Sequence, residues 1–213
     1  MNQTKEADRK TLYNSPTFSD IKIRQIHKGK VTEYAAHKAV LCAHSGWFMA
    51  ALTGHFKHLR VRSMFTMTTL FQIMMEFFYN MDLKTPPYYG HGTDTYIEDS
   101  LVPLIDIHTL AGKYDVRSLQ RASADVFKKA VQYYPTFTVD RLELLVHAHY
   151  PFCTSTCCDM GEAIVTFMLK NSSSLMQSPA VHSLVRQYGN FGGDMFVLGI
   201  PANKLSVKCT LLQ

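Results

Sequence analysis

Alternation of apolar and polar residues, the pattern of a β-strand, is restricted to the first third of the chain. Apolar and polar residues alternate with the period of two that a half-buried strand requires in residues 20–24 and 59–67, and another extended run covers residues 31–35. The turn-like residues 27–30 join the first two runs into a hairpin. After Pro135 the strand pattern does not return, so the sequence predicts a small three-stranded sheet among many helices.

Helical spacing of apolar residues begins at His37. Two short helices are predicted, at residues 37–44 and 47–52, and Gly54 is the residue best able to end the second one. The third helix carries an amphipathic stripe at i, i+3, i+4 and i+7, which buries one side. This stripe consists of Phe71, Met74, Met75 and Phe78.

Further helical stripes occupy most of the second half, after a long loop at residues 83–97. One helix is predicted on each side of Tyr114, and three more helices follow Pro135. From Asn190 the chain becomes glycine-rich and carries no structural prediction. The buried positions predicted for the helices beside Tyr114 are Leu101, Leu104, Ile105 and His108, then Leu119, Ala122, Val126 and Ala130.

The composition predicts a globular protein with a modest positive charge. Hydrophobic residues make up 46% of the chain and aromatic residues 12%, which excludes a natively unfolded chain. The net charge is +5, and residues 1–38 hold eight Lys or Arg against four Asp or Glu. A dedicated nucleic-acid binder is usually more basic, so direct binding of nucleic acid is not the first prediction. Because the basic residues are concentrated in this arm and in the cluster at residues 55–62, a nucleic-acid-associated transcriptional regulator is kept as an alternative.

Cysteine usage predicts a reducing compartment. The five cysteines are an odd number at irregular spacing, and no charged start followed by an apolar run marks a secretory signal. Free thiols in the nucleus or cytoplasm are therefore expected. No stretch reaches the roughly 18 apolar residues that cross a bilayer, so no membrane partner is predicted.

Short sequence motifs in several of the predicted strands and helices match those of a known protein family. Residues 18–23 read Phe-Ser-Asp-Ile-Lys-Ile, and residues 36–41 read Ala-His-Lys-Ala-Val-Leu, a strand with an Asp followed by a helix start with a His-basic pair. Residues 45–56 run from a serine through Trp-Phe to Gly-His-Phe, and residues 71–80 end in Phe-Phe-Tyr-Asn. Residues 111–116 read Ala-Gly-Lys-Tyr-Asp-Val. Together these motifs resemble those of the BTB/POZ family.

The resemblance implies an α+β fold with a defined domain organisation. A BTB/POZ-like domain, with a three-stranded sheet and a cluster of about five helices, is expected at residues 17–132. Additional C-terminal helices at residues 136–189 are expected to dock on it. Residues 1–16 are expected to form a disordered arm, and residues 190–213 an uncertain tail.

The resemblance also implies a binding function. Relatives dimerise, hold protein partners, and often recruit substrates to a cullin-type ubiquitin ligase or bring corepressors to DNA. We therefore expect a protein-protein interaction adaptor or scaffold, a homodimer, with a cullin-type scaffold as a further partner. Residues 57–70 contain no acidic residue, so the hydrophobic-x-Glu element that many cullin-binding relatives carry near this helix is missing.

The interface is expected to be symmetric and to involve the first strand and first helix. In relatives the opening Asp and the basic residue after the helix His lie in a charged pocket at the dimer groove, and Asp20 and Lys38 occupy these positions. Phe77 lies off the stripe of its helix, so its ring is also expected at an interface. The interface candidates are Asp20, His37, Lys38, Leu41, Trp47, Phe48, Phe77 and Tyr114.

No catalytic residue or cofactor is predicted. The run His147-x-His149-x-x-x-Cys153-x-x-x-Cys157-Cys158 offers ligands that zinc accepts, and the metal candidates taken from it are His147, His149, Cys153 and Cys157. Against a metal site, Pro151 breaks any helix through the set, and buried free cysteines are common small hydrophobes. A cysteine or zinc hydrolase is the third alternative, but nothing in the sequence indicates the oxyanion pocket that it needs.

Overall fold

The computed structural model describes residues 11–53, 60–62, 68–83, 100–133, 138–171 and 175–199. The chain divides into two compact units. The first comprises residues 1–83 with 114–116, and the second comprises residues 84–113 with 117–213. Among the described helices, none combines the length and apolarity needed to cross a membrane.

The first unit contains the predicted sheet. Strands β1 (Ile21–His27) and β2 (Lys30–Ala36) form an antiparallel hairpin. Its two-residue turn has positive φ at both Lys28 (46°) and Gly29 (79°), the turn geometry that matches the twist of paired strands. Strand β3 (Arg60–Arg62) pairs in parallel with β1, which gives the order β2-β1-β3. The three-stranded sheet is confirmed, while residues 59 and 63–67 of the predicted third strand lie outside the described residues.

The described part of the first unit also contains three helices: α1 (Lys38–His44), α2 (Gly46–Thr53) and α3 (Thr68–Asn80). The predicted stripe of α3 is confirmed, because all four of its side chains are buried. They pack with a core that also contains Ile23, Tyr34, Leu41, Phe48 and Tyr114.

The arm at the start of the chain is ordered earlier than expected. Residues 11–16 were predicted to be unstructured, whereas Asn14 Oδ1 accepts a hydrogen bond from the Ala35 backbone N–H (3.0 Å). The ring of Tyr13 also lies edge-on to Tyr79, with 6.0 Å between centroids. These contacts with the hairpin and α3 provide the order that local sequence does not indicate. Residues 1–10 lie outside the described residues.

The second unit is helical throughout its described part. Helix α4 packs on α5 and α6, α7 packs on α5 and α9, and α8 packs on α6 and α9. The six helices are α4 (Val102–Lys113), α5 (Arg117–Ala130), α6 (Val139–His149), α7 (Asp159–Asn171), α8 (Pro179–Gln187) and α9 (Gly189–Gly199). The additional C-terminal helices are therefore confirmed, although the boundaries proposed for the domains stay predictions.

Two details of this unit differ from the sequence prediction. The stripe predicted for α5 is rotated, because Ala122 and Val126 are only half-buried while Ala124 and Phe127 are fully buried. Contact with both α4 and α7 explains the rotation, since α5 must bury a broad face. Helix α9 occupies residues for which the glycine-rich sequence carried no prediction.

A half-buried acid on α4 gives a pH-dependent prediction. Burial raises the pKa of the Asp106 carboxyl, so the folded state binds its proton more tightly than the unfolded chain does. Above its folded pKa, Asp106 therefore opposes folding, and the variant Asp106→Asn should unfold at higher urea concentration than the unmodified protein at pH 7. The gain should shrink as the pH falls and disappear at about pH 3 and below, where the carboxyl is protonated in both states.

Asp125→Asn is the matched control for this experiment, because Asp125 is exposed on the neighbouring helix α5. Urea unfolding of both variants at both pH values separates burial of one carboxyl from a general loss of negative charge. An equal gain for the two variants would contradict the assignment to Asp106.

Candidate functional site

The junction of β1 with α1 is fixed by one carboxylate. His37 is the N-cap of α1, yet its side chain makes no capping hydrogen bond. Asp20 takes that role, since its Oδ1 accepts a hydrogen bond from the Lys38 backbone N–H at 2.8 Å. The contact between Asp20 and Lys38 is therefore made by the lysine backbone.

The His37 ring is fully engaged inside the first unit. Its Nδ1 lies 2.9 Å from the Tyr79 hydroxyl oxygen, and its Nε2 lies 2.8 Å from the Thr17 carbonyl oxygen. The His37 backbone N–H also donates to the Tyr79 hydroxyl (3.1 Å). The side chain therefore ties α3 to the segment before β1 and is not available to a partner.

The structure separates the eight interface candidates into two groups. Asp20, Lys38 and Trp47 are exposed. The other five are buried in the core, so their predicted place at an outer surface needs correction. These five are His37, Leu41, Phe48, Phe77 and Tyr114. Helix α3 buries a wider face than the single stripe predicted from the sequence. This face also contains Leu70 and Phe77, which are both buried.

Helix α2 presents an uncharged face to solvent. Its inward positions are Phe48 and Ala51. The exposed positions at i, i+3, i+4 and i+7 form the α2 outer face, which consists of Gly46, Met49, Ala50 and Thr53. A surface helix normally carries charged residues on such a face, and α2 contains none. Met49 is the large apolar side chain of this face, and it is 45% exposed.

Trp47 borders the α2 outer face and is held rigidly. Its ring lies edge-on to Phe48 and to Tyr114, with 5.1 Å between centroids in both cases, and 36% of the residue is exposed. A partly exposed tryptophan that is fixed before binding loses little side-chain entropy on contact. Tryptophans of this kind often dominate interface energies.

A second cluster of reactive side chains lies in the other unit, at the turn between α6 and α7. His149 Nε2 is 3.2 Å from Cys158 Sγ, and Cys158 Sγ is 3.5 Å from Cys153 Sγ. Two of the four metal candidates are therefore brought together, with Cys158 in place of Cys157. Cys157 is exposed, and His147 instead contacts the Tyr188 hydroxyl through Nδ1 at 2.9 Å.

The difference arises from the backbone between the two helices. Residues 150–157 form turns, so the four-residue spacing of Cys153 and Cys157 does not place their side chains on one face. Cys157 also adopts a left-handed backbone conformation, with φ of 57°. The next residue, Cys158, then points its sulfur toward His149. The sequence run that suggested a metal site already contained Cys158, next to Cys157.

The cluster has unusual titration properties. The hydrogen bond between the two thiols lowers the pKa of Cys153 to about 7 and raises that of Cys158 to about 12, where burial adds to the increase. Burial, followed by the nearby His149, lowers the pKa of His108 to about 4. The His108 and His149 rings lie edge-on, 5.6 Å apart.

The cluster does not have the form of a nucleophilic triad. The contact between Cys158 and His149 is of the kind that a cysteine hydrolase uses, but the base must also be oriented by a third group. His149 Nδ1 is buried and has no hydrogen-bond partner among the described residues. The geometry therefore gives no support to the hydrolase alternative.

Comparison with known families decides the fold assignment. The family model of the BTB/POZ domain matches residues 10–130, which is more than half of the chain. The chain belongs to the BTB/POZ family. The comparison with curated proteins finds no match.

The BTB/POZ match covers the hairpin and all helices from α1 to α5, so the family and the α+β fold expected from the sequence are both confirmed. A BTB/POZ domain supports a role in protein-protein interaction, and it indicates protein partners in general. Among the described residues of this BTB/POZ protein, the α2 outer face is an exposed and uncharged surface.

Proposed function

We propose that this BTB/POZ protein is a non-enzymatic adaptor or scaffold that forms a homodimer through the α2 outer face and holds protein partners as a pair. The observation that carries the proposal is a helix without any charged residue whose solvent-facing side includes Met49, 45% exposed, beside Trp47. Exposure of these apolar side chains to water is unfavourable in free energy. Binding of a second copy of the chain would bury them.

A two-fold contact suits the composition of this face. In a symmetric dimer each residue is used twice, so burial of Met49 and Trp47 would contribute from four side chains. Each contributes up to about 1.5–3 kcal/mol when it passes from full exposure to full burial, and proportionately less from its present partial exposure. Ala50 is small, which lets the second copy approach this part of the helix closely. Lys38, exposed at the start of α1, is suited to the polar rim.

The finer alternatives receive less support from the described residues. Arg24, one of the basic residues near the arm, is already paired with Glu33 (Nε to Oε1, 2.7 Å), which weakens the nucleic-acid alternative. Most of the basic cluster at 55–62, and most of the segment that would decide cullin recruitment, lie outside the described residues. A nuclear or cytoplasmic location suits the proposal, since the cysteines among the described residues are all free.

The substitution Met49→Glu tests the proposed dimer. A carboxylate at this position would have to be desolvated at the two-fold contact, so the variant is expected to sediment as a monomer. The unmodified protein is expected to sediment as a dimer at roughly tens of micromolar, the range of a modest interface. Analytical ultracentrifugation over a concentration series measures both.

Met81→Glu serves as the matched control, because Met81 is 51% exposed and lies outside α2. It should dimerise like the unmodified protein. A monomer at all concentrations for the unmodified protein, or a dimer that survives Met49→Glu, would refute the assignment of this face.

A further inference from the structure

The turn between α6 and α7 brings three metal-ligating side chains to one point. The ligand atoms of His149, Cys153 and Cys158 all lie within 4.8 Å of one another. In a tetrahedral zinc site, bonds of about 2.3 Å to sulfur and about 2.0–2.1 Å to nitrogen place neighbouring ligand atoms roughly 3.5–3.8 Å apart. The distances of 3.2 Å (His149 Nε2 to Cys158 Sγ) and 3.5 Å (Cys158 Sγ to Cys153 Sγ) are close to this arrangement.

The backbone around Cys158 places its sulfur at the start of α7. Cys158 immediately precedes α7, and its carbonyl accepts the hydrogen bond from Glu162 N at 2.9 Å that opens the helix. Its Sγ accepts a hydrogen bond from Gly161 N at 3.3 Å, as an N-cap side chain does. The sulfur therefore lies at the positive end of a 13-residue helix, which stabilises negative charge.

His149 is a buried residue with an unexplained polar atom. It is 3% exposed, and its Nδ1 has no partner among the described residues. Nδ1 lies on the ring edge opposite Nε2, so an ion bound to Nε2 would not satisfy it. Nε2 is the nitrogen that faces the sulfur of Cys158, at 3.2 Å.

Helix α9 holds the turn in this arrangement from outside. Asn190 Nδ2 donates to the Cys153 carbonyl at 2.7 Å, and the Cys157 backbone N–H donates to Asp194 Oδ1 at 2.6 Å. Asp194 is fully buried, and its Oδ2 accepts from the Tyr150 hydroxyl at 2.8 Å. The ligands are thus positioned by contacts that do not involve a metal, as in preformed sites with ordered outer shells.

We propose that His149 Nε2, Cys153 Sγ and Cys158 Sγ bind one Zn²⁺ ion, with a water molecule as the fourth ligand. Both thiols lose their protons to solvent on binding, so two thiolates and a neutral imidazole balance the charge of the ion. The ion would fasten the turn between α6 and α7. The site lies in the second unit and does not depend on the α2 outer face.

Metal analysis of the full chain, purified with a reducing agent and without chelators, tests the site. About one zinc ion per chain is expected for the unmodified protein, and at least about tenfold less for Cys153→Ser and for Cys158→Ser. Cys157→Ser is the matched control, because Cys157 is the adjacent cysteine and its sulfur is not in the cluster; it should retain the zinc. Met49→Glu should retain it as well, which separates this site from the proposed dimer.

A spectroscopic titration keeps the test independent of variants that fail to fold. Co²⁺ added to the metal-free, reduced, unmodified protein should give the visible bands of a tetrahedral site and a thiolate-to-cobalt charge-transfer band. Neither zinc in the purified protein nor these bands on titration would overturn the proposal. Zinc that remains in a Cys153→Ser/Cys158→Ser double variant would also overturn it, as would a Cys153–Cys158 disulfide in the protein purified under reducing conditions.

Discussion

Replacing Tyr114 with alanine is expected to lower the free energy of unfolding by about 3–5 kcal/mol, the usual cost of removing a buried aromatic ring. Tyr114 is 2% exposed. Its ring stacks on Phe48, with centroids 5.8 Å apart and planes 19° apart, and meets Trp47 and Phe71 edge-on. The Tyr114 carbonyl also accepts a hydrogen bond from the buried Ser45 hydroxyl at 2.6 Å. The loss of the ring should leave a cavity that this aromatic cluster cannot fill.

Urea unfolding followed by tryptophan fluorescence measures this effect directly, because Trp47 is the single tryptophan of the chain and touches the Tyr114 ring. Tyr114→Phe is the control, since it keeps the ring and removes only the hydroxyl. It should lose no more than about 1–2 kcal/mol. Equal losses for the two variants, or a loss under about 1 kcal/mol for Tyr114→Ala, would contradict the packing described for Tyr114.

Replacing Asp194 with alanine is expected to cost about 2–5 kcal/mol. The carboxylate is fully buried and accepts hydrogen bonds from the Tyr150 hydroxyl and the Cys157 backbone N–H. Alanine would leave the Tyr150 hydroxyl and the Cys157 backbone N–H without the carboxylate that accepts their hydrogen bonds. Each unsatisfied donor costs about 1–3 kcal/mol. The loss should appear as faster hydrogen exchange in the turn between α6 and α7.

Two variants give this prediction its controls. Asp194→Asn keeps one acceptor oxygen and the shape of the side chain, so it should lose less than alanine does. Phe196→Ala changes an exposed residue (56% exposed) of the same helix and should leave stability nearly unchanged. If Asp194→Ala were as stable as Phe196→Ala, the carboxylate would not hold the turn.

The sequence predicted those elements whose signal is local. The hairpin was predictable because alternation and a turn that needs a glycine agree, and Lys28 and Gly29 take up that turn. Helix α3 was predictable because four large residues repeat at helical spacing and all are buried. Where local pattern and tertiary packing agree, one strand or helix can be read without knowledge of the others.

Helix α9 could not be predicted because its glycines disfavour an isolated helix. The structure shows why glycine is present at two of these positions. A Cβ on Gly193 would lie 2.7 Å from Thr156 Cγ2, and one on Gly192 would lie 3.0 Å from Val185 Cγ1. The glycines permit close packing on α8 and on the turn before α7, so tertiary contact supplies the stability that propensity lacks.

The candidate site was predicted only in part, for a different reason. Resemblance to a family identifies positions in the chain, but it does not separate residues that form a surface from residues that support it. Trp47 and Asp20 are exposed, whereas Leu41, Phe48 and Phe77 lie in the core beneath. The sequence of α2 contains no charged residue, so it does not distinguish the exposed side of the helix from the buried side. The fold makes that distinction, because it exposes Met49 and Ala50.

Hydrogen-deuterium exchange of the α2 peptide, measured across a concentration series, tests whether a second copy covers the α2 outer face. The amides of residues 46–53 are expected to become more protected as the protein concentration rises through the dimerisation range, while those of α9 should not change. Exchange in α2 that is independent of concentration, or protection that appears in α9 and not in α2, would contradict the proposed contact.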